Sequence, residues 1–181
     1  DYRANRVLGA VVDRCMQELG APDWTEAGYA LAKRFLHTYP RQTMIGIREK
    51  LAAYFEPDTL EDVLDKPLDS TIHPFQPLEA GYSSGSTDVG DVGYATPTVM
   101  LHVATACLGN VGHSWQNTAY ACSDIGRKGM LRAAEMMTLA TIRTMDAPEI
   151  IEKAKAELKR KNGGKYRCPL PEYVTPPIGR Y

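Results

Sequence analysis

The stretch from Thr98 to Leu108 constrains the fold more than any other part of the chain. Val99, Leu101, Val103, Thr105 and Cys107 alternate there with Met100, His102, Ala104, Ala106 and Leu108. Both faces of an extended chain are then mostly apolar. Such a segment belongs inside a sheet covered on each side, which is the usual arrangement in α/β proteins. The expectation is an α/β fold, with helices packed on a mostly buried sheet and 98–108 as one of its strands.

The flanking sequence reads as helix. Val7, Leu8, Val11, Val12, Cys15, Met16 and Leu19 recur at helical spacing, and Gly20 follows as a C-terminal cap before Pro22. Thr25 caps a second helix carrying Leu31, Ala32, Phe35 and Leu36, with Pro40 just beyond it. A third runs near Thr43 to Phe55 with Met44, Ile47, Leu51 and Tyr54 on one side, and Asp58 precedes a brief helical turn through Leu64. Residues 65–97 are rich in Pro, Gly, Ser, Thr and Asp, and read as loops and extended chain. After His113 the pattern is helical to about Met145, with Gly126 and Gly129 as points of bending. Pro148 starts a last helix through Lys161, which Asn162-Gly163-Gly164 ends. The proline-bearing tail reads as extended.

Charge and cysteine content narrow the setting. Twenty-one basic against 22 acidic residues give a net charge of −1, so the composition gives no footprint for nucleic acid or an anionic membrane. Cys15, Cys107, Cys122 and Cys168 lack CxxC spacing, which fits a reducing, cytoplasmic compartment. The first twenty residues are unlike a signal peptide, and no apolar run approaches spanning length. The chain starts at Asp1 without an initiator Met, as a processed or partial product does.

Chemistry is expected where a strand end, glycines and polar groups converge. Gly109 to His113 leads from the end of the 98–108 segment to a helix start, the place where open α/β sheets form sites. An imidazole there feels the positive end of a helix dipole, which favours a free lone pair. From the residues alone, function and packing beside the helix cap both stay open for His113. The Gly- and Ser-rich run 81–92 lacks a phosphate-loop pattern, and such runs are mostly turns. His102 reads as a hydrogen-bonded core histidine, Met136 and Met137 as core filler, and Cys107 and Cys122 as buried structural thiols. His37 and His73 look ordinary, and the Lys and Arg residues of 153–161 read as a solvated helix face.

Several separated blocks carry a resemblance. Gly85-Ser86-Thr87-Asp88-Val89-Gly90-Asp91-Val92, Thr96-Pro97-Thr98, Gly112-His113-Ser114-Trp115-Gln116 and Lys128-Gly129-Met130 with Ala133-Ala134 follow in the order and spacing of one family. With Gly20-Ala21-Pro22 and Trp24, they make the chain similar to the aminobenzoyl-glutamate hydrolase branch of metal-dependent amidohydrolases, relatives of aminoacylases and glutamate carboxypeptidases. The resemblance implies that residues 1–181 are a C-terminal portion of a catalytic domain, without the lid or dimerisation domain and without the N-terminal half. It implies hydrolysis of an amide in an N-acyl amino acid such as aminobenzoyl-glutamate.

The same resemblance implies two divalent metals, zinc or manganese, in the complete site. His113 matches a late metal ligand of the family, and Ser86, Thr87 and Asp88 match a loop for substrate binding or support of the site. The HxD motif and the Glu-Glu pair that hold metal and act as general base in the family are not in this chain, so no catalytic residue is assigned here. One imidazole cannot complete such a centre. Expected partners are the small-molecule substrate, the N-terminal half, and a second copy or partner subunit. Two other readings stand beside this one. One is a non-enzymatic binding or assembly module that keeps the fold without a full metal site, and the other is a small metal-free hydrolase using Cys or Asp.

Overall fold

The computed structural model describes residues 2–52, 55–73, 75, 87–168, 170–175 and 178–179. Among these residues there are eight helices and no strand: α1 (Arg6–Leu19), α2 (Glu26–Leu36), α3 (Arg41–Ala52), α4 (Pro57–Asp65), α5 (Val89–Ala95), α6 (Trp115–Ala121), α7 (Asp124–Met145) and α8 (Pro148–Asn162). The expected α/β architecture is therefore wrong for the described chain, which is all-helical. Residues 97–105 have no regular secondary structure and pair with no neighbouring strand. Alternating apolar residues report that an extended chain is covered, whereas a strand also needs a second backbone within hydrogen-bonding reach. Even the covering is partial, for within 98–108 Cys107 alone is buried, and Met100 and His102 are exposed.

The chain divides into two compact units, one of Asp1–Val11, Phe75–Met100 and Arg143–Tyr181, the other of Val12–Pro74 and Leu101–Ile142. In the first, Asn5 and Glu157 organise the start of α1. Asn5 is buried; its backbone N–H donates to the Thr98 carbonyl (2.9 Å), its amide nitrogen to the Ala154 carbonyl (3.0 Å), and its Oδ1 accepts from the Leu8 N–H (3.1 Å). That last bond has the spacing of a helix N-cap. The buried Glu157 carboxylate of α8 accepts from the N–H groups of Arg6 (3.0 Å) and Val7 (3.1 Å), which satisfies two more donors of the first turn of α1.

In the second unit α4 packs on α2 and α3, and the core joins Ala32, Leu36, Ile47, Leu51, Leu60 and Leu68 to Cys107, Tyr120 and Ile125. The Thr25 hydroxyl caps α2 by accepting from the Gly28 N–H at 3.2 Å, as its position predicts. Gly20 takes a left-handed φ of 70° after α1, and Arg132 of α7 donates to the Leu19 carbonyl at 2.8 Å, so the exposed end of α1 is satisfied from α7.

The single long helix expected after His113 is two. Ser123 breaks it: its hydroxyl donates to the Tyr120 carbonyl (2.7 Å) and accepts from the Gly126 N–H (3.4 Å), ending α6 and capping α7. α7 runs on past Gly126 and Gly129, and both glycines serve close approach. A Cβ on Gly129 would stand 2.1 Å from the Ala104 carbonyl oxygen, so only glycine lets the backbone at Ala104 lie this close to the helix. The loop expected over 65–97 holds the short helix α5, the third helix begins at Arg41, and Tyr54 lies outside the described residues.

Candidate functional site

His113 sits in a loop that hydrogen bonds hold at both ends. Leu108 donates its N–H to the Pro67 carbonyl (2.8 Å), and Asn110 turns back on the Cys107 carbonyl (3.0 Å). Gly109 between them has a φ of 77°, and a Cβ there would fall 2.3 Å from Cγ2 of Ile47. Tyr39, buried beside the core, donates its hydroxyl to Oδ1 of Asn110 (2.9 Å) and accepts from the Val111 N–H (3.1 Å). Asn110 passes the connection on by donating to Oδ1 of Asn117 (2.7 Å). The Ser114 hydroxyl donates to the Val111 carbonyl (2.6 Å) and caps α6 by accepting from the Asn117 N–H (3.2 Å). Gln116, also buried, donates to the Thr38 hydroxyl at 2.9 Å.

The result is a rigid frame around a free imidazole. His113 has a φ of 56°, the one positive value among the described non-glycine residues, and its side chain is exposed. Histidine enters the left-handed region more readily than most residues, so the strain is modest, but the conformation has to be held by its neighbours. No described residue hydrogen-bonds or ion-pairs with the ring. The helix that follows has only seven residues, so the dipole expected to act on His113 is that of two turns.

The other predicted positions divide. Thr87 and Asp88 lie in the first unit and His113 in the second, while Ser86 lies outside the described residues. Thr87 and Asp88 are exposed at the start of α5, where the Thr87 hydroxyl accepts from the Val89 N–H (3.3 Å) and its carbonyl from the Gly90 N–H (3.1 Å). Thr87 thus makes a local turn just before α5, which its place in the motif does not reveal. Among the described residues no three His, Cys, Asp or Glu side chains come together as a group that could hold a metal. His113 by itself does not fit a metal centre, which needs three or four ligands and an acceptor to orient each imidazole. No chemical step through a metal is derived for these residues.

Three individual readings change. His102 is exposed rather than a core histidine, Cys122 is exposed rather than buried, and Met137 is exposed while Met136 is in the core. Cys107 is buried, and burial pushes its thiol above the usual range even though the Tyr120 phenol beside it favours the thiolate. Burial likewise raises the Tyr120 phenol, whose hydroxyl donates to the Ala32 carbonyl at 3.2 Å. A thiol so disposed is a structural one. Sequence reasoning also missed an exposed pair, His73 with Asp69, whose Nε2 and Oδ2 lie 2.6 Å apart. The i, i+4 spacing is its one available signal.

Comparison with known proteins supports a relationship to a hydrolase. The chain is 26% identical over 186 residues to a subunit of the p-aminobenzoyl-glutamate hydrolase of Escherichia coli (strain K12). It is similar to a hydrolase subunit. The match takes in 97% of this chain but 37% of that protein, so the chain spans little more than a third of the relative's length. No family model matches the chain, and no solved structure matches it. No helix of the described residues is long and apolar enough to cross a membrane.

Proposed function

We propose that this chain is a C-terminal catalytic-domain portion of an amide hydrolase acting on N-acyl amino acids, with p-aminobenzoyl-glutamate as the model substrate. The observation that carries the reading is the 26% identity extending over 97% of the chain to a protein named for hydrolysing that compound. Hydrolysis adds water across the acyl carbon–nitrogen bond. The acyl carbon becomes the carboxylate of p-aminobenzoate, and the nitrogen leaves as the amine of glutamate.

In this reading the chain contributes the His113 loop. The Tyr39, Asn110, Ser114 and Asn117 bonds fix the backbone on either side of an imidazole that is left open to solvent, which is how a ligand or a proton-transfer group is presented without mobility. His113 would be one ligand of a divalent metal, zinc or manganese, and the remaining ligands and the general base would come from outside the described residues. Ser86, Thr87 and Asp88 would support the substrate side. A partner subunit or a second copy of the chain completes the assembly, in the cytoplasm.

The test is release of p-aminobenzoate and glutamate from p-aminobenzoyl-glutamate by the intact protein, purified with its partners and supplied with zinc or manganese. Equimolar release that stops on chelation and returns with metal is the expected result. No release from the metal-supplied intact protein overturns the proposal.

A further inference from the structure

Positive charge collects where α8 ends. Lys161, Lys165 and Arg167 lie close together in sequence around Asn162-Gly163-Gly164, and Arg3 reaches the same place from the other end of the chain. Together with Tyr94 and Asn162 they line an open depression of about 500 Å³, and none of its lining residues is acidic.

The fold holds this cluster in place. Gly163 and Gly164 have left-handed φ values of 72° and 77°, which turn the chain so that Lys165 and Arg167 line the same hollow as Lys161. Asn162 pins the turn by donating to the Tyr94 carbonyl (2.6 Å) and accepting from the Gly164 N–H (2.9 Å). Arg3 donates through Nε to the Tyr94 hydroxyl (2.8 Å) and through Nη1 to the Lys161 carbonyl (3.3 Å), with its guanidinium 4.9 Å from the Tyr94 ring centroid.

The charges are not balanced. Lys161 pairs with Glu157 at 2.6 Å, but Arg3, Lys165 and Arg167 have no carboxylate partner among the described residues. Complementing a helix C-terminus accounts for Arg3, which contacts a terminal carbonyl, and leaves Lys165 and Arg167 as surplus cations in one hollow.

We propose that this depression binds a phosphate group, as inorganic phosphate or as the phosphate of a small monoester. A dianion with several acceptor oxygens matches the two guanidinium groups of Arg3 and Arg167 and the two ammonium groups of Lys161 and Lys165, which line one hollow. A single hollow on a chain of net charge −1 suits a compact anion better than a polynucleotide, which calls for an extended basic stripe. The site depends on none of the residues assigned to hydrolysis.

The test is calorimetric titration of the intact protein with inorganic phosphate and with phenyl phosphate, repeated on Lys165→Ala/Arg167→Ala. Both positions follow the end of α8 and are exposed, so the helix content by circular dichroism should stay unchanged. Saturable binding that weakens at least about tenfold in the double variant, and weakens with added salt, is the expected result. Tighter binding of phenyl phosphate assigns a monoester and tighter binding of inorganic phosphate assigns the free anion; either supports the site. No saturable binding of either anion, undiminished binding by the variant, or displacement of phosphate by a short DNA duplex at lower concentration overturns it.

Discussion

Replacing Glu157 with alanine isolates one buried carboxylate that joins two helices of the first unit. Its side chain is 7% exposed and receives three donors: the N–H of Arg6 at 3.0 Å, the N–H of Val7 at 3.1 Å and Nζ of Lys161 at 2.6 Å. Hydrogen bonds to a charged acceptor are worth about 1.5–3 kcal/mol each when buried. Lys161 is 37% exposed, so its share is reduced by water to about 1 kcal/mol. Water reaching the vacated helix end also recovers part of the two backbone bonds. The expected loss is about 2–4 kcal/mol for Glu157→Ala, and about 1–2 kcal/mol for Glu157→Gln, which keeps one acceptor oxygen but no charge.

Acid separates this account from simple loss of packing. Burial raises the Glu157 carboxyl, but the Lys161 ammonium and the Arg6 and Val7 N–H groups outweigh it and hold the group below the ordinary glutamate range. The folded state therefore binds this proton less readily than the unfolded chain. Its contribution is complete above the unfolded value of about 4.3, falls as the pH drops towards the lowered folded value, and is gone below that. Urea unfolding followed by circular dichroism between pH 7 and pH 3 measures both effects. A Glu157→Ala variant within about 0.5 kcal/mol of wild type, or one that loses stability in acid as steeply as wild type does, refutes the reasoning.

Three further outcomes follow from packing and exposure. Gly129→Ala forces a methyl to 2.1 Å from the Ala104 oxygen and is expected to cost about 1–3 kcal/mol or more in urea unfolding, whereas Gly112→Ala, with open space around it, is expected to be within about 0.5 kcal/mol of wild type. Tyr39→Phe removes the hydroxyl between Asn110 and Val111 and is expected to cost about 1–2 kcal/mol, with faster amide exchange at Val111 as the local readout. Thiol labelling of the native protein is expected to modify Cys122 and Cys168 rapidly and Cys15 and Cys107 only on unfolding, since the first two are exposed and the others buried.

The helices that can be read from sequence are those whose ends carry local chemistry. Thr25, Gly20, Pro148 and Gly163 are end signals that depend on a few neighbouring residues, and the structure places Thr25 and Gly163 as caps, Gly20 as a left-handed turn after α1 and Pro148 as the first residue of α8. Helix α5 is hidden because Gly90 and Gly93 look like loop residues, whereas both are buried, with the Arg3 backbone against Gly93. The 98–108 segment misleads because alternation cannot reveal whether a second strand exists to pair with it. At the candidate site, the motif locates His113, but its supports are invisible. Tyr39 lies 71 residues from Asn110, and a tyrosine after a helix end gives no sign of the hydroxyl bridge it makes. The surplus cations after α8 present the same problem, since Arg3 joins Lys161 across 158 residues.

The most direct measurement compares p-aminobenzoate release from p-aminobenzoyl-glutamate by the intact wild-type protein and by its His113→Asn variant. Asparagine also tolerates the positive φ at this position, so the loop is retained while the imidazole is lost. With the circular dichroism and urea midpoint unchanged, a fall in rate of about a hundredfold or more together with lower bound zinc or manganese is the predicted result. Equal rates and equal metal content in the two proteins contradict the assignment of His113 to the hydrolytic site.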